Sequence, residues 1–204
     1  YLTSQLLYIV NKKYKGGTMN HKGTKRIETE NLILRRFEIS DAEAMYKNWA
    51  NDDEVTKYLT WPSHSSVEVS KDILNIWIDD YKNLNFYNWA IILKENGNEP
   101  IGGISVVKLN DEIGIVQFGY CIGRKWWNKG VTSQALNALI KFFIEEVGAN
   151  RIEARHDPVN INSGKVMLKC GMKYEGTMRQ CDKNNQGICD TSMYALLAED
   201  YISE

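Results

Sequence analysis

Trp126-Trp127-Asn128-Lys129-Gly130-Val131-Thr132-Ser133 is the stretch that decides how this 204-residue chain is read. Gly130 closes a tight turn. Val131 opens an amphipathic pattern with Ala135, Leu136, Leu139 and Phe143 at helical spacing, stopped by Gly148. Such a turn aims unpaired backbone N–H groups and the positive end of a helix dipole at one place, and a pyrophosphate fits there. Lys125 and Lys129 bracket it with positive charge, and Thr132 and Ser133 add hydroxyls in the first helical turn. Taken alone, a single glycine before a helix is more often a plain helix start.

A second segment begins at Asn160-Ile161-Asn162-Ser163 and closes at Gly171-Met172. It predicts a helix from about Ile161 to Cys170, with Asn160 placed to cap it and the Ser163 hydroxyl near the same face. An N-cap followed by one exposed serine is the plainer alternative. The two segments together point to an enzyme that holds a phosphate-bearing carrier and transfers something from it.

Working outward, Ile113–Ile122 alternates as a strand, with Val116, Phe118, Tyr120 and Ile122 on one face. Ile152–His156 reads as the next strand, so the Val131 helix makes a parallel βαβ crossover between them. Further strands are expected at Leu32–Phe37, Tyr87–Leu93, Ile101–Leu109, Tyr174–Gln180 and Cys189–Leu197, the last two around the turn Asn184-Asn185-Gln186-Gly187. Ser40 with Glu43, and Ser65 with Glu68, read as capping boxes of two earlier helices. Met45 and Trp49 face inward on the first, and Val69, Ile73, Ile76 and Trp77 form the stripe of the second. The order βααβββαβαββ predicts an α/β (α+β) fold with a mixed central sheet of about seven strands and four main helices.

Composition narrows the function. With 25 basic against 26 acidic residues, charge gives no case for nucleic acid or an anionic membrane. No apolar run approaches a bilayer span, so a cytoplasmic location is expected. Cys121, Cys170, Cys181 and Cys189 form no C-x-x-C pair and read as free buried thiols. His21, His64 and His156 are scattered, so no metal is expected. Residues 1–18 look unlike the rest and read as an extension, with Met19 as the expected natural start of a single domain over 19–204. The oligomeric state is not legible; a homodimer is compatible with the chain.

Trp127–Leu136 (WNKGVTSQAL), Arg151–Asn160 (RIEARHDPVN) and Asn160–Gly176 (NINSGKVMLKCGMKYEG) resemble the GNAT superfamily of acetyl-CoA-dependent N-acetyltransferases. The likeness is nearest to ribosomal-protein N-terminal acetyltransferases of the RimJ/RimL kind. It runs from about Glu28 to Tyr201, including Thr29–Arg35 and the Trp61-Pro62 loop.

The resemblance implies that backbone amides from Lys125 to Thr132, with Trp127, Asn128, Lys129, Gly130, Val131 and Ser133 around them, cradle the CoA pyrophosphate. It implies that Phe118, Gly119 and Tyr120 pair with the pantetheine arm and supply an oxyanion N–H. Asn160 and Ser163 would line the thiol end, Lys169 would meet the adenosine phosphate, and Trp61 would shape the acceptor site. The chain departs from the superfamily pattern in the loop, at Trp127, Asn128 and Thr132, and at two places that carry catalytic groups. A helix tyrosine that protonates the thiolate is replaced by Met167, so Ser163 or a water must donate. A strand glutamate base is replaced by Gln117, which cannot titrate.

The base must come from elsewhere. An α-amino group titrates near ~7.7–8.0 and needs only a water-relayed base; a lysine amine near ~10.4 demands more. By resemblance Asp182 is the first candidate, against a solvated loop aspartate. His156, at the carboxyl end of the crossover strand, is the second, against a packed histidine. Glu175 reads as structural. The expected function is acetyl transfer to a primary amine by direct attack in a ternary complex, with a protein N-terminus as acceptor or, alternatively, an amino acid, polyamine or antibiotic. A non-catalytic CoA-binding module is the reading from another class.

Overall fold

Gly148, left-handed at φ 84, and Gly114, at φ 64, mark where the chain leaves and rejoins one central sheet. The computed structural model describes residues 19–201; the extension expected over 1–18 lies outside them. The strands are β1 Ile27–Glu28, β2 Leu32–Arg35, β3 Asn88–Leu93, β4 Pro100–Asn110, β5 Ile115–Ile122, β6 Arg151–His156, β7 Lys173–Asn184 and β8 Gly187–Leu197. They form an eight-stranded sheet in the order β1-β2-β3-β4-β5-β6-β8-β7. The short β1, antiparallel to β2, is the strand added to the expected seven. Only β5 and β6 are parallel, as a βαβ crossover requires.

The helices are α1 Ala42–Met45, running on into a π-helical turn at Tyr46–Ala50, then α2 Asp53–Thr56, α3 Val67–Asp80, α4 Val131–Phe142 and α5 Ile161–Lys169. α2 is a single turn within Asn51–Ser65, the polar stretch around Trp61-Pro62 that the sequence reads as a loop. The sheet is covered on both faces. Leu34, Trp89, Ile91, Phe118 and Ile152 pack with α4 residues Leu136 and Leu139. Ala90 and Ile92 pack on the other face with Met45, Trp49 and Leu74. All six residues of β3 are therefore buried, and such burial is the main stabilising contribution to the fold.

Several local expectations are corrected. The first capping box joins Glu38 and Asp41, not Ser40 and Glu43. Asp41 is drawn there by Arg35, whose two terminal nitrogens each reach one Asp41 oxygen at 2.7 Å. The α3 N-cap is Ser66 rather than Ser65, and its side chain makes no cap bond. The inward stripe of α3 is also rotated: Ser70 and Leu74 are buried while Ile76 is 57% exposed. Ser70 is drawn inward because its hydroxyl bonds His64 Nδ1 at 2.8 Å, a partner no periodicity reveals. Of the four free cysteines only Cys170 is fully buried, and Cys181 is exposed on the β7 edge.

Among the described residues no helix is long and apolar enough to cross a membrane. None of their His, Cys, Asp and Glu side chains form a group of three or more suited to a metal ion.

Candidate active site

The β5–β6 ladder stops at the Phe118–Ala154 pair, yet β5 runs on to Ile122 and β6 to His156. Two strands that part leave backbone N–H and C=O groups without a ladder partner, and these edge the opening. Gly130 and the start of α4 close the opening at one end. Gly130 is the α4 N-cap at φ 75, ψ 0, a left-handed conformation that favours glycine. Asn128, two residues earlier, is also left-handed at φ 59. Asparagine is one of the few other residues that tolerates this region, so the loop keeps its path without a second glycine.

The first-turn N–H groups of α4 have no side-chain cap, since Gly130 has none to give. The cleft there is lined by Trp127, Asn128, Gly130, Val131, Thr132 and Ser133. Lys169, from the last turn of α5, reaches over the loop: a Cβ built on Gly130 would meet its Nζ at 3.5 Å. Lys125 and Lys129 line the adjoining outer groove, which shares Gly130, Ser133 and Lys169 with the cleft. Three lysines thus border the groove and cleft beside this helix start, with the Lys169 ammonium placed against Gly130, a charge suited to a polyphosphate.

At the other end Asn160, Asn162 and Ser163 from the start of α5 face Val55, Tyr58 and Leu59. Asn160 is the α5 N-cap, but only its backbone carbonyl engages, accepting from Ser163 N at 3.0 Å; the expected side-chain cap is absent. The Ser163 hydroxyl donates to the Tyr120 hydroxyl at 3.1 Å, which donates to the Ser163 carbonyl at 3.0 Å. Burial pushes the Tyr120 phenol far above its ordinary value, so it keeps its proton. Sequence reasoning took only the backbone of Tyr120; its place on the inward face of β5 was the signal for its side chain. Met167, where the superfamily carries a tyrosine, is buried in the core.

The two base candidates lie outside the lining of this cleft. Asp182 on β7 pairs with Arg155 at 2.9 Å and accepts from the Thr191 hydroxyl at 3.3 Å. His156 packs its ring on Tyr194, and its Nδ1 lies 2.8 Å from the Asp157 carbonyl oxygen. That contact places the ring hydrogen on Nδ1 and the lone pair on Nε2. Nε2 is buried without a partner against Gly164, where any Cβ would meet it at 2.7 Å. Burial lowers the His156 pKa, so the ring is neutral at pH 7. Glu175 is structural, as read from the sequence: it pairs with Arg151, which also holds Glu153 at 2.6 Å. Gln117 donates to the same Glu153 and is tied into the sheet.

The tip of the β7–β8 hairpin reaches the Thr56–Trp61 loop. Asn185 at its tip donates from Nδ2 to the carbonyls of Thr56 at 2.8 Å and Trp61 at 2.7 Å. Trp61 itself is partly buried and its ring lies tilted against that of His64, centroids 5.4 Å apart. No pattern in the sequence announces the contact of Asn185 with Thr56 and Trp61, which spans more than half the chain.

Residues 31–173 match the family described as "Acetyltransferase (GNAT) domain". An uncharacterized N-acetyltransferase, p20, from Bacillus licheniformis is 32% identical over 173 residues, 85% of this chain and 96% of that protein. A crystal structure of a GNAT-family acetyltransferase from Bacillus anthracis is 31% identical with a TM-score of 0.75, covering 86% of this chain and 99% of that one. A structure of RimL, a ribosomal L7/L12 alpha-N-protein acetyltransferase in complex with coenzyme A, shares the fold at a TM-score of 0.77 and 21% identity, over 87% of this chain and 100% of that one.

Proposed function

Because this chain belongs to the GNAT family of acetyltransferases, we propose that it moves acetyl from acetyl-CoA to a primary amine by direct attack, with a protein N-terminal α-amine as the first acceptor to test. The observation that carries this reading is the parting of β5 and β6 directly against the Gly130 helix start. An extended pantetheine arm would hydrogen-bond β5 where it parts from β6, at Phe118, Gly119 and Tyr120, as an added strand. Its pyrophosphate would sit on the N–H groups following Gly130, with Lys125, Lys129 and Lys169 around it.

In this reading the neutral amine attacks the thioester carbonyl, and a β5 backbone N–H stabilises the oxyanion that forms. The intermediate collapses by breaking the C–S bond. The thiolate takes a proton relayed from water through the Ser163 hydroxyl, which regains one as it gives its own and whose oxygen is held in place by Tyr120. Asp182, oriented by Arg155 and Thr191, accepts the proton of the attacking amine through water. His156, with its lone pair on Nε2, is the second group able to accept a proton in this corner.

A small-amine acceptor is the second reading, favoured by the apolar wall of Val55, Tyr58 and Leu59. The test is thiol release from acetyl-CoA against short peptides with Ala, Ser or Met at the N-terminus, polyamines, amino acids and aminoglycosides. Turnover on peptides alone supports the first reading, and turnover on a small amine alone supports the second. Binding of acetyl-CoA with no turnover on any amine supports a non-catalytic CoA-binding module.

A further inference from the structure

The tip of the β7–β8 hairpin joins the two walls of the cleft. On one side Asn185 makes three bonds to a single stretch of the acceptor loop. Its backbone N–H donates to the Leu59 carbonyl at 3.1 Å, and its amide nitrogen holds both the Thr56 and Trp61 carbonyls. On the other side the neighbouring Asn184 is buried and donates from Nδ2 to Asp157 at 2.8 Å, at the start of the loop that leads to Asn160 and Ser163. Asn184 Oδ1 also accepts from Gln186 N at 2.7 Å, which sets the turn that presents Asn185.

The loop so held is tied at its start as well. Asp52 caps α2 by accepting from Glu54 N at 3.0 Å, and its other oxygen accepts from Arg124 Nε at 2.6 Å. Residues 57–60 therefore sit between two anchors, and Tyr58 and Leu59 stand as a fixed wall of the cleft beside Val55. None of the described residues lining this cleft is acidic. A polycation entering it would shed water from its distal charges with no carboxylate to receive them, a cost that disfavours such acceptors.

We propose that Asn185 is a specificity-determining positioning residue: it latches the hairpin to the Thr56–Trp61 loop and keeps the Tyr58–Leu59 wall closed, so that the acceptor is a primary amine on an uncharged, apolar body. This rests on the acetyl-transfer reading above. The shared chemistry fits two sources, a free apolar amine and a protein N-terminus with neutral first residues.

The experiment compares the wild-type chain with Asn185→Ala and the near-isosteric Asn185→Asp, which loses both amide donors. Thiol release is followed with phenethylamine, a neutral peptide beginning with Ala, and spermidine. The expected result has three parts. Wild-type kcat/KM is higher for phenethylamine or the peptide than for spermidine, whichever of the two is better identifying the source. Both variants raise acceptor KM about threefold to tenfold, the effect of losing one part-buried and one exposed hydrogen bond. The KM for acetyl-CoA and the upward shift in melting temperature that acetyl-CoA produces stay unchanged, whereas a merely structural role would move these as well. If Asn185→Ala does not fold, Asn185→Asp decides. Unchanged acceptor KM in both variants, or spermidine as the best acceptor, overturns the latch. If wild type binds acetyl-CoA and acetylates none of the amines, the acetyl-transfer reading itself fails and the latch with it.

Discussion

Lys169 holds its ammonium 3.5 Å from the point where a Cβ on Gly130 would stand, although the two residues sit on different helices. The contact brings the far end of α5 onto the N-terminus of α4, and it makes the glycine turn a charged site rather than a bare helix start. Substituting Gly130 by Val should therefore act twice. The left-handed backbone at φ 75 would be strained by about 1–2 kcal/mol, and the side chain would press on Lys169. We expect acetyl-CoA to bind about tenfold more weakly, measured by calorimetry. Unchanged affinity would refute the assignment of this loop to the pyrophosphate.

Ser163→Ala removes the hydroxyl that faces the thiol end in the proposed reaction. A lost general acid costs about 10²-fold in kcat or more. Tyr120→Phe should cost less, because the serine hydroxyl remains and only its orienting partner is gone. Equal rates in wild type and Ser163→Ala would clear the serine and leave protonation to solvent.

Asp182→Asn keeps the size of the side chain and removes its capacity to take a proton. Turnover should fall about 10²-fold while acetyl-CoA affinity is unchanged. His156→Gln is the matched comparison: if only this variant loses turnover, the base is the histidine and the aspartate serves Arg155.

Arg35 satisfies all five of its N–H donors, on Asp41, the Arg36 carbonyl and Asn98. Arg35→Met should destabilise the fold by about 3–5 kcal/mol, because it leaves the Asp41 carboxylate buried and unpaired. Urea unfolding checks this, and a loss under 1 kcal/mol would show that the pair is dispensable.

Stability should fall on acidification. Burial lowers the pKa of both His64 and His156 in the fold, so the unfolded chain binds more protons once the pH drops below the ordinary histidine value near ~6.5. The contribution is fully present above that pH and is lost as the pH falls toward the depressed folded values. Melting temperature should decline from pH 7 to pH 5, and His156→Gln should flatten part of the decline. A flat profile in wild type would mean that the rings take up protons in place without cost.

The linear chain carries most of the elements and the glycine turn that opens α4. Local rules write them: glycine and asparagine set the backbone at Asn128 and Gly130, and periodic apolar residues mark α4, β5 and β6. The parallel crossover followed from the order of those elements, whereas the parting of β5 and β6 beyond Phe118 did not. The resemblance added the expected roles of Ser163, Asp182 and the loop residues, which no spacing alone could give.

Contacts between residues far apart in sequence were decided only by the tertiary structure. Asn185 on Thr56 and Trp61, Tyr120 on Ser163, and Lys169 over Gly130 each depend on where separate elements come to rest. The displaced capping boxes show the same at short range, for Asp41 was claimed by a buried arginine and Ser70 turned inward to reach His64. Hydrogen-bond partners are chosen by burial, because a polar group removed from water must find one wherever the fold supplies it. Periodicity tells which face of an element is apolar, but not which distant residue will meet its polar groups once that face is covered.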